Sequence, residues 1–265
     1  MESVKLNGKL DIHLENIERL GYTVVEDVIS SAECKIIASK LDRIDDEQLR
    51  DYGIDRLKAL NEIGIIRALI EKDDYFGNLI LNQIVFGLVS KILGDTAIIH
   101  LQNGIVVNPE IKHGQSHFHR DFAKDFVCSR PLSVNVFWAI DDFTAETGGT
   151  WVIPYTHKSS IWPSNEYLEN NAIQVNARAG SVLLFDSMLI HRGGANISKS
   201  RRRAVNHQYT HPFIKQQIDF PSLLKSRFQM ESKLSQVLGF WTIPPKSVRE
   251  FRSEPDKRTY RSGQG

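Results

Sequence analysis

Apolar residues recur at three- and four-residue intervals through the first third of the chain, and at every second residue from about position 97 onward. In the first regime, Cys34, Ile37, Leu41 and Ile44 share one face of a helix that Ser30 or Ser31 can cap and that runs to about Arg50. A second helical stretch is expected over 55–72 and a third over 77–93, the latter apolar on most sides and stopped by Gly94. In the second regime, short strands are expected over 97–108, 132–140, 150–153, 173–175, 181–185 and 202–209, separated by clusters of Gly, Pro, Asn and Asp. Strands at this density, with no helices between them, suggest a double-sheet jelly roll rather than a parallel α/β sheet. Beyond Pro212, residues 220–239 read as helical and 247–265 as a polar tail. The fold class is therefore mainly β with flanking α-helices, a cupin-like double-stranded β-helix. It is read as one domain over 1–265: a mostly helical part (1–95), the jelly-roll core (97–211), and a C-terminal helix and tail (212–265).

Composition changes this picture little. The 265 residues are 41% hydrophobic and 25% charged, ordinary for a globular enzyme with a sizeable core. A net charge of +1 gives no electrostatic reason to expect a nucleic-acid partner. No apolar run reaches the roughly 18–20 residues of a membrane span, and the first residues lack the apolar centre of a secretory signal. Cys34 and Cys128 are the only cysteines, too few for a disulfide framework or a cysteine-built zinc site. A cytoplasmic protein acting on a small molecule is expected, with homo-oligomerisation left open.

Candidate chemistry begins at His119-Arg120-Asp121. In an extended segment, residues two apart point to the same side, so an imidazole and a carboxylate would converge while Arg120 faces away. That is two-thirds of a facial metal triad. The third ligand must come from a distant strand. His191 fits, because it follows the apolar strand 181–185 and precedes Gly193-Gly194, where the backbone can turn tightly. An isolated His-x-Asp also occurs in surface turns, so the case rests on the combination. The same three letters open the catalytic loop of protein kinases, but no Gly-rich loop, Val-Ala-Ile-Lys strand or Asp-Phe-Gly accompanies them. His117 shares parity with His119 as a rival or supporting group. His113, His207 and His211 read as surface or hydrogen-bonded residues.

Downstream lie Arg201, Arg202 and Arg203. On a strand the middle one points opposite to its neighbours. If the outer two face solvent, Arg202 faces the barrel interior, where a guanidinium needs an anionic partner. A dicarboxylate offers a planar, bidentate match. Ala204, the next inward position, leaves it room. The alternative is three exposed arginines on an edge strand.

These residues carry a family likeness. The chain resembles the phytanoyl-CoA dioxygenase family of iron(II)- and 2-oxoglutarate-dependent oxygenases. Residues 20–30 look like its opening strand and first helix cap, His119-Arg120-Asp121 like its proximal iron motif, and 137–144 with Glu146 and Gly148 like its central strand and turn. Residues 150–158 resemble its Ile-Pro-Gly-Ser-His segment, with Tyr155-Thr156 in place of Gly-Ser. His191, Asn196 and Arg202 match its distal histidine, following asparagine and cosubstrate arginine, and the closing 261–265 resemble the tail of many bacterial members. The resemblance implies Fe(II), 2-oxoglutarate and O2, with His119, Asp121 and His191 as metal ligands and Arg202 as anchor. It also implies that Asn135 and Phe137 line the cosubstrate, Phe137 standing where many members carry Trp. Gln102 and Asn108 share a face of the preceding strand, as cosubstrate or substrate contacts or as ordinary barrel polarity. Asp121 argues against halogenation, for which relatives have a small residue there.

The reaction so implied is hydroxylation of an unactivated C–H bond of a small metabolite or natural-product intermediate, with release of succinate and CO2. Desaturation, ring closure and epimerisation need the same ligands. A hydrolase or isomerase using another metal would not need Arg202, and a non-enzymatic jelly-roll binding module would gain nothing from an intact triad. Phe122, Phe126 and Trp162 are apolar residues in polar connections, as in a lid over the barrel mouth or in packing against the outer helices.

Overall fold

The computed structural model describes residues 2–109, 116–121, 126–228 and 231–264. The first helix, α1 (Glu2–Leu20), ends at Gly21, whose φ of +87° turns the chain into strand β1 (Tyr22–Val25). Helix α2 (Ser31–Tyr52) starts with a full capping box: the Ser30 hydroxyl accepts from Glu33 N, and the Glu33 carboxylate accepts from Ser30 N. It buries Cys34, Ile37, Leu41 and Ile44, the face expected from their spacing.

The remaining strands are β2 (Ile65–Arg67), β3 (Ile98–Val107), β4 (Ser133–Ala139), β5 (Trp151–Ile153), β6 (Ile173–Gln174), β7 (Val182–Asp186), β8 (Ile190–Arg192) and β9 (Arg202–Thr210). Six form a large antiparallel sheet in the order β1-β7-β4-β9-β3-β2, and three form a small one in the order β6-β5-β8. Period-two alternation sorts the large sheet into two faces. Val106, Val134, Val136, Trp138, Val182, Leu184 and Val205 face out and pack under the helices. Ile105, Val107, Phe137, Ala139, Leu183, Phe185 and Ala204 face in, toward Val152 and Leu189 of the small-sheet layer. Gly104 lies on the outer face, where a Cβ would come within 2.7 Å of Leu41, so its missing side chain lets α2 seat closely on the sheet.

Three helical expectations are corrected. Residues 55–72 are interrupted: after a helix at Ile54–Ala59, Asn61 and Gly64 take positive φ, and the β-branched pair Ile65-Ile66 joins the sheet as edge strand β2 beside Ile105 and Gly104. The 77–93 stretch breaks at Asn82, whose side chain caps a separate helix, Gln83–Leu93. Among the described residues, the 220–239 stretch holds two short α-helices, Phe220–Leu224 and Lys233–Val237, and a 3-10 turn at Lys225–Arg227 in place of one continuous helix. No single described helix is long and apolar enough to cross a membrane.

Asp45 is the misfit of the α2 interface. It is 1% exposed, and its Oδ1 has no hydrogen-bond partner among the described residues. Burial pushes its carboxyl up to about 6; Arg201 opposes the shift, and Asp46 and Asp42 add to it. A folded-state pKa above the unfolded one means that ionised Asp45 opposes folding above pH 6, a penalty relieved as pH falls through 6 toward the unfolded value of 3.8. Asp45→Asn should therefore raise the melting temperature at neutral pH by roughly 2–4 °C per kcal/mol recovered. Thermal melts across pH should show that gain vanishing near the unfolded pKa; a pH-independent gain would rule out the buried charge as its cause.

Candidate metal centre and cosubstrate pocket

Residues 119–121 run as a short extended segment alongside β8. His119 N donates to His191 O (2.9 Å), His191 N returns the bond to His119 O (3.0 Å), and Asp121 N donates to Ser187 O (3.1 Å). This pairing turns His119 and Asp121 toward His191. Arg120 points the other way, but not into water. It is buried, donates to Thr156 O (3.3 Å) and Ser159 O (2.6 Å), and lies over the Trp162 ring. Trp162 and Phe126 are exposed, whereas Phe122 and His113 lie outside the described residues.

One ligand atom from each of His119, Asp121 and His191 lies within 4.8 Å of the other two. His119 Nε2 is 3.2 Å from Asp121 Oδ1, and His191 Nε2 is 3.4 Å from Asp121 Oδ2. The tautomers follow from the far side of each ring. His119 Nδ1 faces His117 O (2.9 Å) and His191 Nδ1 faces Leu189 O (3.0 Å). A carbonyl only accepts, so both Nδ1 atoms carry the proton and both Nε2 lone pairs are free for a metal. His117 thus serves through its backbone, its side chain being exposed. Burial alone would raise the Asp121 carboxyl, but His191 and His119 hold it well below the usual carboxylate range. Burial would lower His119, but Asp121 outweighs it and raises the ring. Two imidazoles and an anionic carboxylate on one side of a point fit a divalent metal.

Arg202 is 4% exposed and lies on the inner face of β9. Its guanidinium sits 4.8 Å over the Phe143 ring, and its Nε has no hydrogen-bond partner among the described residues. Burial lowers it to about 10, with Asp141 acting in the opposite sense. Its neighbours are occupied elsewhere: Arg201 pairs with Asp42 and Asp46, Arg203 with Asp42 and Asp141. Next along the inner face, Ala204 stands opposite Ala139, two small residues that leave space above the sheet. Phe137 follows, stacked on Phe185 (5.4 Å), which in turn lies 4.7 Å from the His191 ring. Asn135 shares this face, with its Nδ2 on Ser187 Oγ (2.8 Å) and its Oδ1 without a partner among the described residues.

Gln102 is a correction. Its parity on β3 puts it on the outer face, where Oε1 accepts from Ile70 N (2.7 Å) and Nε2 contacts Phe76 O (3.2 Å) and His207 (3.1 Å). It ties the sheet to the helices and does not reach the cosubstrate side. Asn108 lies one residue past β3, half-buried, with no side-chain hydrogen bond among the described residues. His207 is fully buried beside Gln102, and burial pushes it down to about 3, so it is neutral. His211 bonds to Pro131 O and stacks on Phe213. Not expected from the sequence are Asn206, an inner-face residue whose buried Oδ1 has no partner among the described residues, and Gln208 two residues on. The alternation that singles out Arg202 and Ala204 would have found both.

Sheet and triad define a double-stranded β-helix with a facial metal site. The phytanoyl-CoA dioxygenase family matches residues 17–204, and the chain belongs to that family. An uncharacterized protein of Mycobacterium tuberculosis, Rv1501, is 36% identical across 99% of this chain and 98% of its own length. The ectoine dioxygenase of Nocardia farcinica is 23% identical, covering 74% of this chain and 76% of its own. Among solved structures, the epimerase SnoN in complex with Fe3+, alpha ketoglutarate and nogalamycin RO superposes with a TM-score of 0.58 at 16% identity, over 77% of this chain and 84% of its own. At that identity the likeness speaks for the fold. The protein is thus an iron- and 2-oxoglutarate-dependent oxygenase.

Proposed function

We propose that this oxygenase hydroxylates an unactivated C–H bond of a small polar metabolite or natural-product intermediate, releasing succinate and CO2. The observation that carries the 2-oxoglutarate part is Arg202: a buried guanidinium without a carboxylate within 4 Å among the described residues, on the same inner face as the wall beside His191. Such a group is costly to bury unless an anion completes it. His119, Asp121 and His191 would hold iron(II) on one face and leave the opposite face to ligands. When bound, the metal supplies dioxygen activation coupled to oxidative decarboxylation of the 2-oxo acid. The chain's own residues do the placing. Arg202 takes the distal carboxylate, the Ala139–Ala204 pair gives it clearance, and the Phe137–Phe185 stack forms a dry wall.

The preference for a polar substrate rests on a row across the inner face. Arg67, Asn103 and Asn206 stand side by side on β2, β3 and β9. Arg67 is held by Glu62 and meets the Asn103 amide, which accepts from it when its oxygen is turned toward the guanidinium, while Asn206 Oδ1 has no partner among the described residues. Desaturation, ring closure and epimerisation place the same ligands against a different C–H, so product analysis distinguishes them. Two unpaired thiols, Cys34 buried and Cys128 exposed, suit a cytoplasmic setting.

Anaerobic addition of iron(II) and 2-oxoglutarate should give the weak visible charge-transfer band of a chelated 2-oxo acid. A succinate-release screen over polar metabolites should then find the substrate. A protein that binds iron but gives no band with 2-oxoglutarate would sink the reading.

A further inference from the structure

Beneath the metal centre lies a polar cluster that the proposed chemistry does not use. Ser133, Asn135, Ser187 and Gln208 are all at most 2% exposed, next to an inner-face wall that includes Phe137, Leu183 and Phe185. Ser187 Oγ accepts from Asn135 Nδ2 (2.8 Å) and Gln208 Nε2 (3.2 Å) and donates to Ser133 Oγ (2.8 Å). Gln208 Nε2 also donates to Ser133 Oγ (2.9 Å), and Ser187 N donates to Ser133 O (3.1 Å). Every polar atom of Ser187 is thereby engaged, because its carbonyl accepts from Asp121 N (3.1 Å). Ser187 also sits in the turn between β7 and β8. That turn is closed by Leu189 N on Asp186 O (2.8 Å) and Met188 N on the Asp186 carboxylate (2.8 Å), and it leads directly to His191.

An apolar residue would satisfy packing at these positions, and burying these four polar side chains is tolerated because their hydroxyls and amide N–H groups partner one another, although Asn135 Oδ1 has no partner among the described residues. What the cluster adds is a fixed location for one carbonyl, the one that fixes the backbone of Asp121. We propose that Ser187 is a positioning residue for Asp121, pinned by Ser133, Gln208 and Asn135, and that this hub sets the affinity for iron without touching it. The inference rests on the proposed role of Asp121 as a metal ligand.

The test measures the iron(II) dissociation constant, through the 2-oxoglutarate-dependent visible band, in wild-type protein, Ser187→Ala and Gln208→Leu. The melting temperature of each metal-free protein is recorded alongside. Loss of a group that orients a ligand should raise the iron dissociation constant by about 10–100-fold. Gln208→Leu should do so with a metal-free melting temperature close to wild type, and it carries the test if Ser187→Ala does not fold. A wild-type band with unchanged iron affinity in a folded Gln208→Leu overturns this inference alone. Absence of any band in the wild type overturns the proposed function and this inference together.

Discussion

Asp121→Ala should leave a folded protein that no longer retains iron(II) and no longer turns over 2-oxoglutarate. The loss should exceed the ~10–100-fold in affinity that follows from disturbing a supporting group, because the carboxylate is both a ligand and the triad's only anion. Its two oxygens lie 3.2 and 3.4 Å from the two Nε2 atoms, so in its absence two neutral imidazoles would face the metal charge alone. His191→Ala should behave alike, since its Nδ1 proton is committed to Leu189 O and only Nε2 points to the site. The check does not need the substrate. A ligand that binds only the folded state adds about 2.7 kcal/mol at a hundredfold excess over its dissociation constant, so iron should raise the melting temperature of wild type and not of either variant. Full iron-dependent activity in either variant would remove these residues from the metal centre.

The chemistry at this site was legible because its two signals are local in sequence. His119 and Asp121 are two apart on an extended segment, and Arg202 is the middle of three arginines on a strand, so period-two alternation places all three without tertiary information. Gln102, read as a cosubstrate contact from the family likeness, faces the other way for a physical reason. A polar residue in a strand is expected to face a wet interior, but the outer face of this sheet is covered by helices whose breaks expose backbone groups, Ile70 N and Phe76 O, that need a side-chain partner. Edge strand β2 was hidden for another reason. Ile65-Ile66 continues a helical apolar pattern, and only the positive φ at Asn61 and Gly64, together with pairing to β3, decides against it. Ser187 carried no signal at all, because its importance lies in what its carbonyl and hydroxyl meet from three other segments.

Arg202→Ala should raise the 2-oxoglutarate concentration needed for half-maximal turnover by about 10–100-fold, the loss expected of a charge-assisted bidentate contact of ~1.5–3 kcal/mol. Iron binding measured without cosubstrate should be unchanged. Arg202→Lys should fall between, keeping the charge but not the planar fork. The neighbouring arginines supply the control. Arg201 and Arg203 are held in ion pairs with Asp42, Asp46 and Asp141, half-exposed contacts worth about 0–1 kcal/mol, so their alanine variants should alter stability slightly and the cosubstrate requirement little. A second consequence follows from burial. Without cosubstrate, Arg202 is a buried cation resting on the Phe143 ring, its Nε without a partner among the described residues, an arrangement that costs folding energy. Arg202→Leu should therefore melt no lower than wild type in the absence of cosubstrate, and should lose the further rise that 2-oxoglutarate with iron gives the wild type. Equal effects of the three alanine variants on the cosubstrate requirement would break the strand-parity argument. A marked loss of stability in metal-free Arg202→Leu would mean that the guanidinium already has its partner within the protein.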